Sequence, residues 1–394
     1  MRLLFYLPNI TPWWFDNMIA PLVRALAPEV EVHVMVPPMW RSTGVTPGQL
    51  APFADGPAVE WHVLDEIEPG LLRRAGSSDA AIRDLVRRID PDITLCRCAD
   101  PEVIHGFPGV VRFVMEGAAH PIANGGSTII FPTRLFEHGA MPPLTAELEA
   151  QLDAAFTPVW THFAPKLRGD GAPSWRVAAG IDPGRPVVSV PIEYDFEDSF
   201  NGPHQYFRDN HALIDAVADA FGDDVFLAFT NHPLNDLYGD NRAVEAHIAK
   251  LGARAAIIRP PAEGIKATEM VARDCDGAVV DLSKSYLAYA CFGVPIVRPT
   301  AIATAPWLNA MTDLDAFASV LAAGQAVAPS PDATRLWFAH HIANAALDTG
   351  NPALDAAMVL DHIVRPLNPA RWEGNLKRFA TLLSEDAGRE ALVA

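Results

Sequence analysis

Short apolar runs alternate with amphipathic segments along most of this chain. Apolar runs separated by helices are typical of parallel strands that are covered by helices on both faces. The pattern therefore predicts a Rossmann-like α/β unit in the first half. Its predicted strands are 2–7, 30–36, 59–64, 93–96, 110–115 and 128–131, and its predicted helices are 13–27 and 80–89.

A second series of the same kind follows a Gly/Pro-rich passage at 168–186, which has the composition of a linker. Its predicted strands are 187–192, 225–229, 255–258, 277–280 and 295–297, with helices at 210–221, 244–251, 265–273 and 284–292. The tail from residue 309 shows helical patterns and no convincing strand. We therefore predict domains at 1–170 and 171–365, followed by a C-terminal segment, 366–394, whose helix 372–383 packs back toward the N-terminal domain.

Composition excludes several classes of protein. The 394 residues include 30 Lys and Arg against 48 Asp and Glu, a net charge of −18. A nucleic-acid partner is not expected, because phosphate neutralisation needs a basic surface. We expect no membrane span, since no stretch approaches the ~20 apolar residues required, and no signal peptide. Four scattered cysteines indicate reduced thiols, and the expected location is the cytoplasm.

The first motif follows the predicted strand 225–229, where the chain reads Asn-His-Pro-Leu-Asn-Asp at 231–236. Pro233 disfavours a helical conformation at His232, so the imidazole sits on extended backbone at a strand end. Ligands of open α/β sheets bind beyond the carboxyl ends of the strands. With Asn231 beside it, His232 is a candidate phosphate contact or leaving-group acid. A turn histidine that bonds only to backbone is the alternative.

The second motif follows the predicted strand 277–280, where Ser283, Lys284 and Ser285 begin a helix. Ser283 is the predicted N-cap. Free N–H groups, two hydroxyls and the positive end of the helix dipole would together bind a phosphate. Ordinary helix capping is the alternative.

These two motifs, about fifty residues apart, resemble the C-terminal half of GT-B glycosyltransferases. More narrowly, His-Pro-Leu at 232–234 and the serine motif at 283–285 resemble the capsular-polysaccharide biosynthesis group, which includes Kdo transferases. Bacterial sialyltransferases and CDP-glycerol glycerophosphotransferases share the pairing. The resemblance implies that His232, Ser283 and Ser285 contact a cytidine nucleotide or its phosphate. It covers mainly 187–298, with Asn235 where the group has Asp and Ser-Lys-Ser where it has adjacent serines.

The first half supplies candidates for the acceptor side. Phe-Glu-His-Gly at 136–139 resembles a stretch of the same group and makes Glu137 a candidate catalytic carboxylate; Glu116, at a predicted strand end, is the other. Trp13 and Trp14 could stack on a sugar face or anchor the following helix. His120, in a second His-Pro dipeptide, is a further acceptor-side candidate.

A run of acidic residues begins at Glu193, directly after the first strand of the second series. It could face a ligand, but a solvated acidic loop is the favoured interpretation. The loop has no Asp-x-Asp, and Asp274-Cys-Asp276 precedes its strand. We therefore expect no metal site. No dinucleotide fingerprint or Walker loop is present, so no cofactor is expected.

The fold class predicted from these features is α/β of the GT-B type, with two Rossmann-like domains facing across a cleft and a helical tail. The function predicted is transfer of a sugar from a nucleotide donor, CMP-Kdo being favoured by the resemblance, to a glycan or glycolipid of a bacterial surface polysaccharide. A GT-B-fold sugar-nucleotide epimerase, a CDP-alditol phosphotransferase and a two-domain binding protein are the alternatives. Any membrane association would be peripheral, through a partner.

Overall fold

The computed structural model describes most of the chain. Described are residues 1–40, 43–54, 56, 58–65, 80–98, 100, 105–122, 127–168, 174–194, 204–232, 235, 241–260, 266–300 and 302–381, with side chains of 165–168 left out. Among the helices of these residues, none combines the length and apolar character that a bilayer span requires.

The first sheet is five-stranded, parallel throughout, and ordered β3-β2-β1-β4-β5. Its strands are β1 (Arg2–Tyr6), β2 (Glu31–Val36), β3 (Val59–Val63), β4 (Ile93–Cys96) and β5 (Val110–Phe113). This is a doubly wound order, in which the chain reverses direction of winding between β1 and β4. The predicted Rossmann-like unit is confirmed.

The second sheet repeats that order as β10-β9-β8-β11-β12, again all parallel. Its strands are β8 (Val187–Pro191), β9 (Phe226–Thr230), β10 (Ala255–Ile257), β11 (Gly277–Val279) and β12 (Ile296–Val297). The reversal lies between β8 and β11. The chain is therefore α/β with two Rossmann-like sheets, as the sequence predicts.

A small third sheet joins β6 (Met115–Glu116), β7 (Thr128–Ile130) and β13 (Leu347–Asp348), all antiparallel. The prediction of a tail without strands is therefore wrong at β13. Two residues are too few to show an alternating pattern in the sequence, and their pairing depends on β7, more than two hundred residues away.

The helices cover both faces of the sheets, as expected for parallel strands. The α-helices of the described residues are α1 (Pro12–Trp14), α2 (Ala20–Leu26), α3 (Pro47–Leu50), α4 (Ala80–Ile89), α5 (Ala146–Arg168), α6 (Trp175–Ala178), α7 (Asn210–Ala220), α8 (Arg242–Ala249), α9 (Ala267–Ala272), α10 (Tyr286–Phe292), α11 (Leu314–Ala322), α12 (Pro331–His340), α13 (Ala356–Val364) and a last helix at 372–381. Single π-helical turns at Phe15–Ile19 and His341–Ala345 continue α1 and α12.

The longest helix, α5, was not predicted. Pro158 lies in its interior, where a proline removes a backbone hydrogen bond and clashes with the preceding turn. The sequence pattern is broken there for that reason. Burial of Leu152 and Phe156 on one side holds the helix in place despite the break.

The chain divides into two compact units. The first contains 1–118, 124–135 and 340–394, and the second contains 119–123 and 136–339. The predicted boundary lies at 170/171, whereas the chain enters the second unit at 119–123 and again at 136. The domain roles predicted from the sequence stay predictions.

Each unit has its own apolar core. In the first unit, Leu3, Phe5 and Val34 face one side of the sheet and pack with α2 and with Val359 and Ile363 of α13. In the second unit, Val188 and Val190 pack with Ile214 and Val217 of α7 on one face. Alternating strand residues reach opposite faces of a sheet, which is why nearly continuous apolar strands are required.

Candidate functional site

Three loops meet at the carboxyl edge of the second sheet. Glu193 follows β8, Asn231 and His232 follow β9, and the segment 281–285 follows β11. Strands β9, β8 and β11 are neighbours, and the winding reversal lies between the last two. In doubly wound sheets the ligand crevice lies at this point.

Glu193 is held at the edge of the sheet by its backbone. Its N–H donates to Asn210 Oδ1 at 3.1 Å, and its carbonyl accepts from Asn210 Nδ2 at 3.1 Å and from Asn235 Nδ2 at 2.9 Å. Both asparagines are buried. Asn235 lies three residues after His232, so these bonds join the β8 and β9 loops.

The Glu193 side chain crosses to the β11 loop. Its Oε1 accepts the N–H groups of Leu282 at 3.0 Å and Ser283 at 3.1 Å. Burial and the nearby charge of Asp281 raise the pKa of Glu193 to about 7. The predicted solvated acidic loop is therefore wrong for Glu193, and the expectation of free N–H groups at the serine motif is wrong for Ser283.

A buried cation lies behind the β11 loop. Arg298, which is fully buried, donates from Nη2 to the Asp281 carbonyl at 2.6 Å and to His138 Nδ1. Burial lowers the pKa of Arg298 to about 10. Burial, with Arg298 and Lys284 nearby, lowers the pKa of His138 well below its usual value, so this imidazole is neutral. Burial also raises the pKa of Asp281, whose Oδ2 accepts the N–H of Tyr206 at 2.6 Å.

The serine motif differs in detail from its prediction. The N-cap position of α10 is Ser285, not Ser283, and no side chain makes the capping bond. Ser283 Oγ instead accepts the N–H of Ser285 at 3.2 Å, two residues on, as serine does in turns. Ser285 Oγ is buried and has no hydrogen-bond partner among the described residues. Buried hydroxyls are normally bonded, so this one is a candidate ligand contact.

His232 is half-buried and its ring stacks on Tyr194, with ring centroids 5.6 Å apart and an interplanar angle of 26°. Its carbonyl accepts the N–H of Asn235 at 2.9 Å, and Asn231 Oδ1 accepts from Asn235 Nδ2 at 3.2 Å. Pro233 lies outside the described residues. The structure therefore brings Asn231 and His232 to the same edge as Glu193 and the serine motif.

Two candidates from the predicted acceptor half belong to the second unit. Glu137, half-buried, lies in a segment fixed by its neighbours: Gly139 N–H donates to Tyr286 Oη at 3.0 Å, and Trp307 Nε1 donates to the Gly139 carbonyl at 2.8 Å. His120 Nδ1 lies 2.5 Å from Lys266 Nζ and 3.5 Å from Glu269 Oε1. Both residues precede the second series of strands by about fifty residues or more, so the sequence pattern places them with the first half.

The other three candidates belong to the first unit. Trp14 lies under the guanidinium of Arg97, 3.6 Å from its ring centroid, while Trp13 is 55% exposed. Arg97 follows β4 directly; burial lowers its pKa to about 10, and the charge of Glu116 opposes that shift. Trp14, Arg97 and Glu116 thus meet near the winding reversal of the first sheet. Trp14 is therefore a cation–π partner of Arg97, and the acceptor-side role of both tryptophans stays a prediction.

The roles of three buried polar residues near the carboxyl edge of the second sheet, Glu193, Arg298 and His138, are not predicted from the sequence. The sequence pattern favours a solvated loop for Glu193 and predicts no role for Arg298 or His138. The available signal was position: each of Glu193 and Arg298 follows a predicted strand directly. Nothing in the sequence spacing connects His138 to Arg298.

The sequence matches no family model, and no curated protein matches it. Several solved structures are similar to the chain. They include the beta Kdo 2,7 transferase KpsC of Thermosulfurimonas dismutans, at 12% identity and a TM-score of 0.48, covering 93% of this chain and 99% of that one.

Two further similar structures are more distant. HepE of Anabaena, solved with UDP and glucose, is 10% identical with a TM-score of 0.34, covering 93% of this chain and 99% of that one. A putative UDP-N-acetylglucosamine 2-epimerase of Listeria monocytogenes is 14% identical with a TM-score of 0.32, covering 93% and 97%. The fold assignment rests on the strand orders of this chain.

Proposed function

We propose that this protein is a GT-B glycosyltransferase that moves a sugar from a nucleotide-activated donor to an acceptor glycan. The observation that carries the proposal is the convergence of Glu193, His232 and the serine motif 283–285 at the winding reversal of the second sheet. The resemblance of the last two to the capsular-polysaccharide group supports it. No second function is favoured by a specific observation.

We assign the donor phosphate to polar side chains of the loops at this edge. Ser285 Oγ is buried without a hydrogen-bond partner among the described residues, and the Ser283 hydroxyl, the Lys284 ammonium and the His232 imidazole lie on the same loops. Groups of this kind stabilise the charge that develops on a leaving phosphate. Glu193 is then a positioning residue, because it fixes the backbone that carries the serines.

The finer features of the proposal come from the family resemblance. They are a CMP-sugar donor such as CMP-Kdo, a glycan or glycolipid acceptor in surface polysaccharide synthesis, and catalysis without a metal ion. Glu116 or Glu137 would deprotonate the acceptor hydroxyl. Trp13, Trp14 and His120 stay the candidates for acceptor contacts.

The test is a panel of CMP-, UDP- and GDP-sugars incubated with the protein, with release of free nucleotide as the readout. A CMP-sugar is expected to release CMP, and faster when acceptor glycan is present. Binding and turnover of no nucleotide sugar would refute the proposal. Conversion of the sugar with the nucleotide still attached would identify an epimerase, and transfer of an alditol phosphate a phosphotransferase.

His232→Ala is expected to lower kcat/KM about 10²- to 10³-fold, the loss typical of removing one charge-stabilising donor. His247→Ala is the matched control. His247 is also in the second unit, but it bonds Asp215 at 2.6 Å on the helices α7 and α8. Equal activities of the two variants would remove His232 from the site.

A further inference from the structure

A cluster of histidine and glutamate side chains lies on the first sheet, in the unit that does not carry the proposed donor site. His33 is on β2, and Glu60 and His62 are on the neighbouring edge strand β3. In the parallel register His33 pairs with Glu60, and Met35 pairs with His62. Because side chains alternate along a strand, all three point to the same face of the sheet.

The ligand-type atoms of this cluster are close enough to share one ion. His33 Nδ1 lies 3.1 Å from His62 Nε2 and 3.5 Å from Glu60 Oε2, and all three atoms are within 4.8 Å of one another. Zinc bonds of 2.0–2.2 Å in tetrahedral geometry place neighbouring ligand atoms about 3.3–3.6 Å apart. The two distances from His33 Nδ1, 3.1 and 3.5 Å, are close to that spacing.

A second carboxylate supports the ligand role of His33. Its Nε2 lies 2.9 Å from Glu31 Oε1, which also accepts from Arg2 Nε at 3.0 Å. If Nε2 donates this hydrogen bond, the lone pair is on Nδ1, the ring atom that lies 3.1 Å from His62 Nε2 and 3.5 Å from Glu60 Oε2. Histidines that bind metals usually donate their other ring N–H to a carboxylate in this way.

We propose that His33 Nδ1, His62 Nε2 and Glu60 Oε2 bind one divalent transition-metal ion, with Zn²⁺ as the expected species. Two imidazoles and one carboxylate suit zinc better than Mg²⁺ or Ca²⁺, which take oxygen ligands. Glu60 is exposed at 65% of its side chain, so solvent water can complete the coordination. The ion cross-links edge strand β3 to β2. The sequence predicts no metal site, because that prediction considers only the acidic residues of the second series; His33, Glu60 and His62 lie in the first.

The experiment measures zinc bound to the tag-free, full-length protein. The protein is dialysed against Zn²⁺, bound metal is counted by mass spectrometry, and affinity is measured by competition with a chromogenic chelator. One equivalent per chain is expected. Cobalt substitution is expected to give the visible absorption of a tetrahedral ion, and Mg²⁺ at the same concentration is expected not to compete.

Variants locate the ion. Glu60→Gln and His62→Gln are expected to weaken zinc binding at least 100-fold, and Glu31→Gln about 10- to 100-fold, as for other outer carboxylate partners. His247→Gln is the matched control, because it removes a histidine with a carboxylate partner outside the cluster. Circular dichroism of the metal-free variants checks that they fold.

The proposal is overturned if the wild type retains no equivalent of zinc, or if Glu60→Gln and His62→Gln bind it as tightly as His247→Gln does. Unchanged affinity in Glu31→Gln would overturn the outer role of that carboxylate.

Discussion

Glu193 shows how a single side chain changes the interpretation of the proposed donor site. Its carboxylate accepts the N–H of Leu282 and that of Ser283, the first residue of the motif that the sequence assigns to a ligand phosphate. The carboxyl is buried where it makes those bonds, and burial disfavours its charged form. The protonation state of Glu193 therefore depends on the folded geometry of the loop.

Stability is expected to depend on pH through Glu193. Its folded pKa of about 7 is above the ordinary carboxyl value of 4.5, so the folded state holds the proton more tightly than the unfolded state. The stability from this proton is complete below about pH 4.5 and is lost as pH rises to about 7 and beyond. Glu193→Gln removes the dependence and keeps an oxygen that accepts the two N–H groups.

Urea unfolding of both proteins between pH 4.5 and 8.5 measures this effect. The difference in unfolding free energy between variant and wild type is expected to change by about 2–3 kcal/mol over that range in favour of Gln at high pH. A constant difference would contradict the raised pKa.

At the scale of elements, helix α7 positions the backbone of Glu193. Asn210, which bonds both the N–H and the carbonyl of Glu193, is the first residue of α7. The N-cap Asp209 accepts the N–H of Ala212 at 2.8 Å, and this bond lowers the pKa of Asp209. The N-cap of α7 is thus adjacent in sequence to Asn210, the residue that bonds the Glu193 backbone.

Asp209→Ala is expected to lower the unfolding free energy by about 1 kcal/mol, the usual cost of a lost cap, and also to weaken nucleotide binding. Asp313→Ala is the matched control. Asp313 caps α11 with the same bond, to the N–H of Ala316 at 2.7 Å. Urea unfolding and nucleotide titration of both variants separate the effects: equal nucleotide affinities would show that α7 does not position the site.

At the scale of the whole molecule, a buried amide joins the C-terminal segment to the π-helical turn of the first unit. Asn344 is fully buried; its Nδ2 donates to the Pro366 carbonyl at 2.7 Å, and its Oδ1 accepts from Asn368 N at 2.9 Å and from Trp372 Nε1 at 3.2 Å. One side chain therefore joins the π-helical turn, the loop after α13 and the last helix.

Asn344→Ala is expected to destabilise the first unit by about 2–4 kcal/mol, because it leaves two donors without an acceptor and opens a small cavity. Asn351→Ala, which removes only a local bond to Ala353 N, is the control and is expected to cost less than about 1 kcal/mol. Tryptophan fluorescence during urea unfolding measures both. Equal midpoints for the two variants would contradict the role of Asn344.

The sequence by itself determined the two series of buried strands, since continuous apolar runs with helices between them have few other solutions than parallel sheets. It also located the loops that carry His232 and the serine motif, because these follow strands directly. Helix α5 escaped prediction, since Pro158 breaks its pattern while tertiary burial holds it.

Only the tertiary structure decided which residues share a site. Strand order brings Glu193 to Ser283, and strand register brings His33 beside His62. Arg298 contacts His138 although the two are 160 residues apart in the chain. Local sequence encodes helix and strand preference within a few residues, whereas these contacts join positions tens to hundreds of residues apart. They are fixed by the packing of the whole unit, which no local pattern contains.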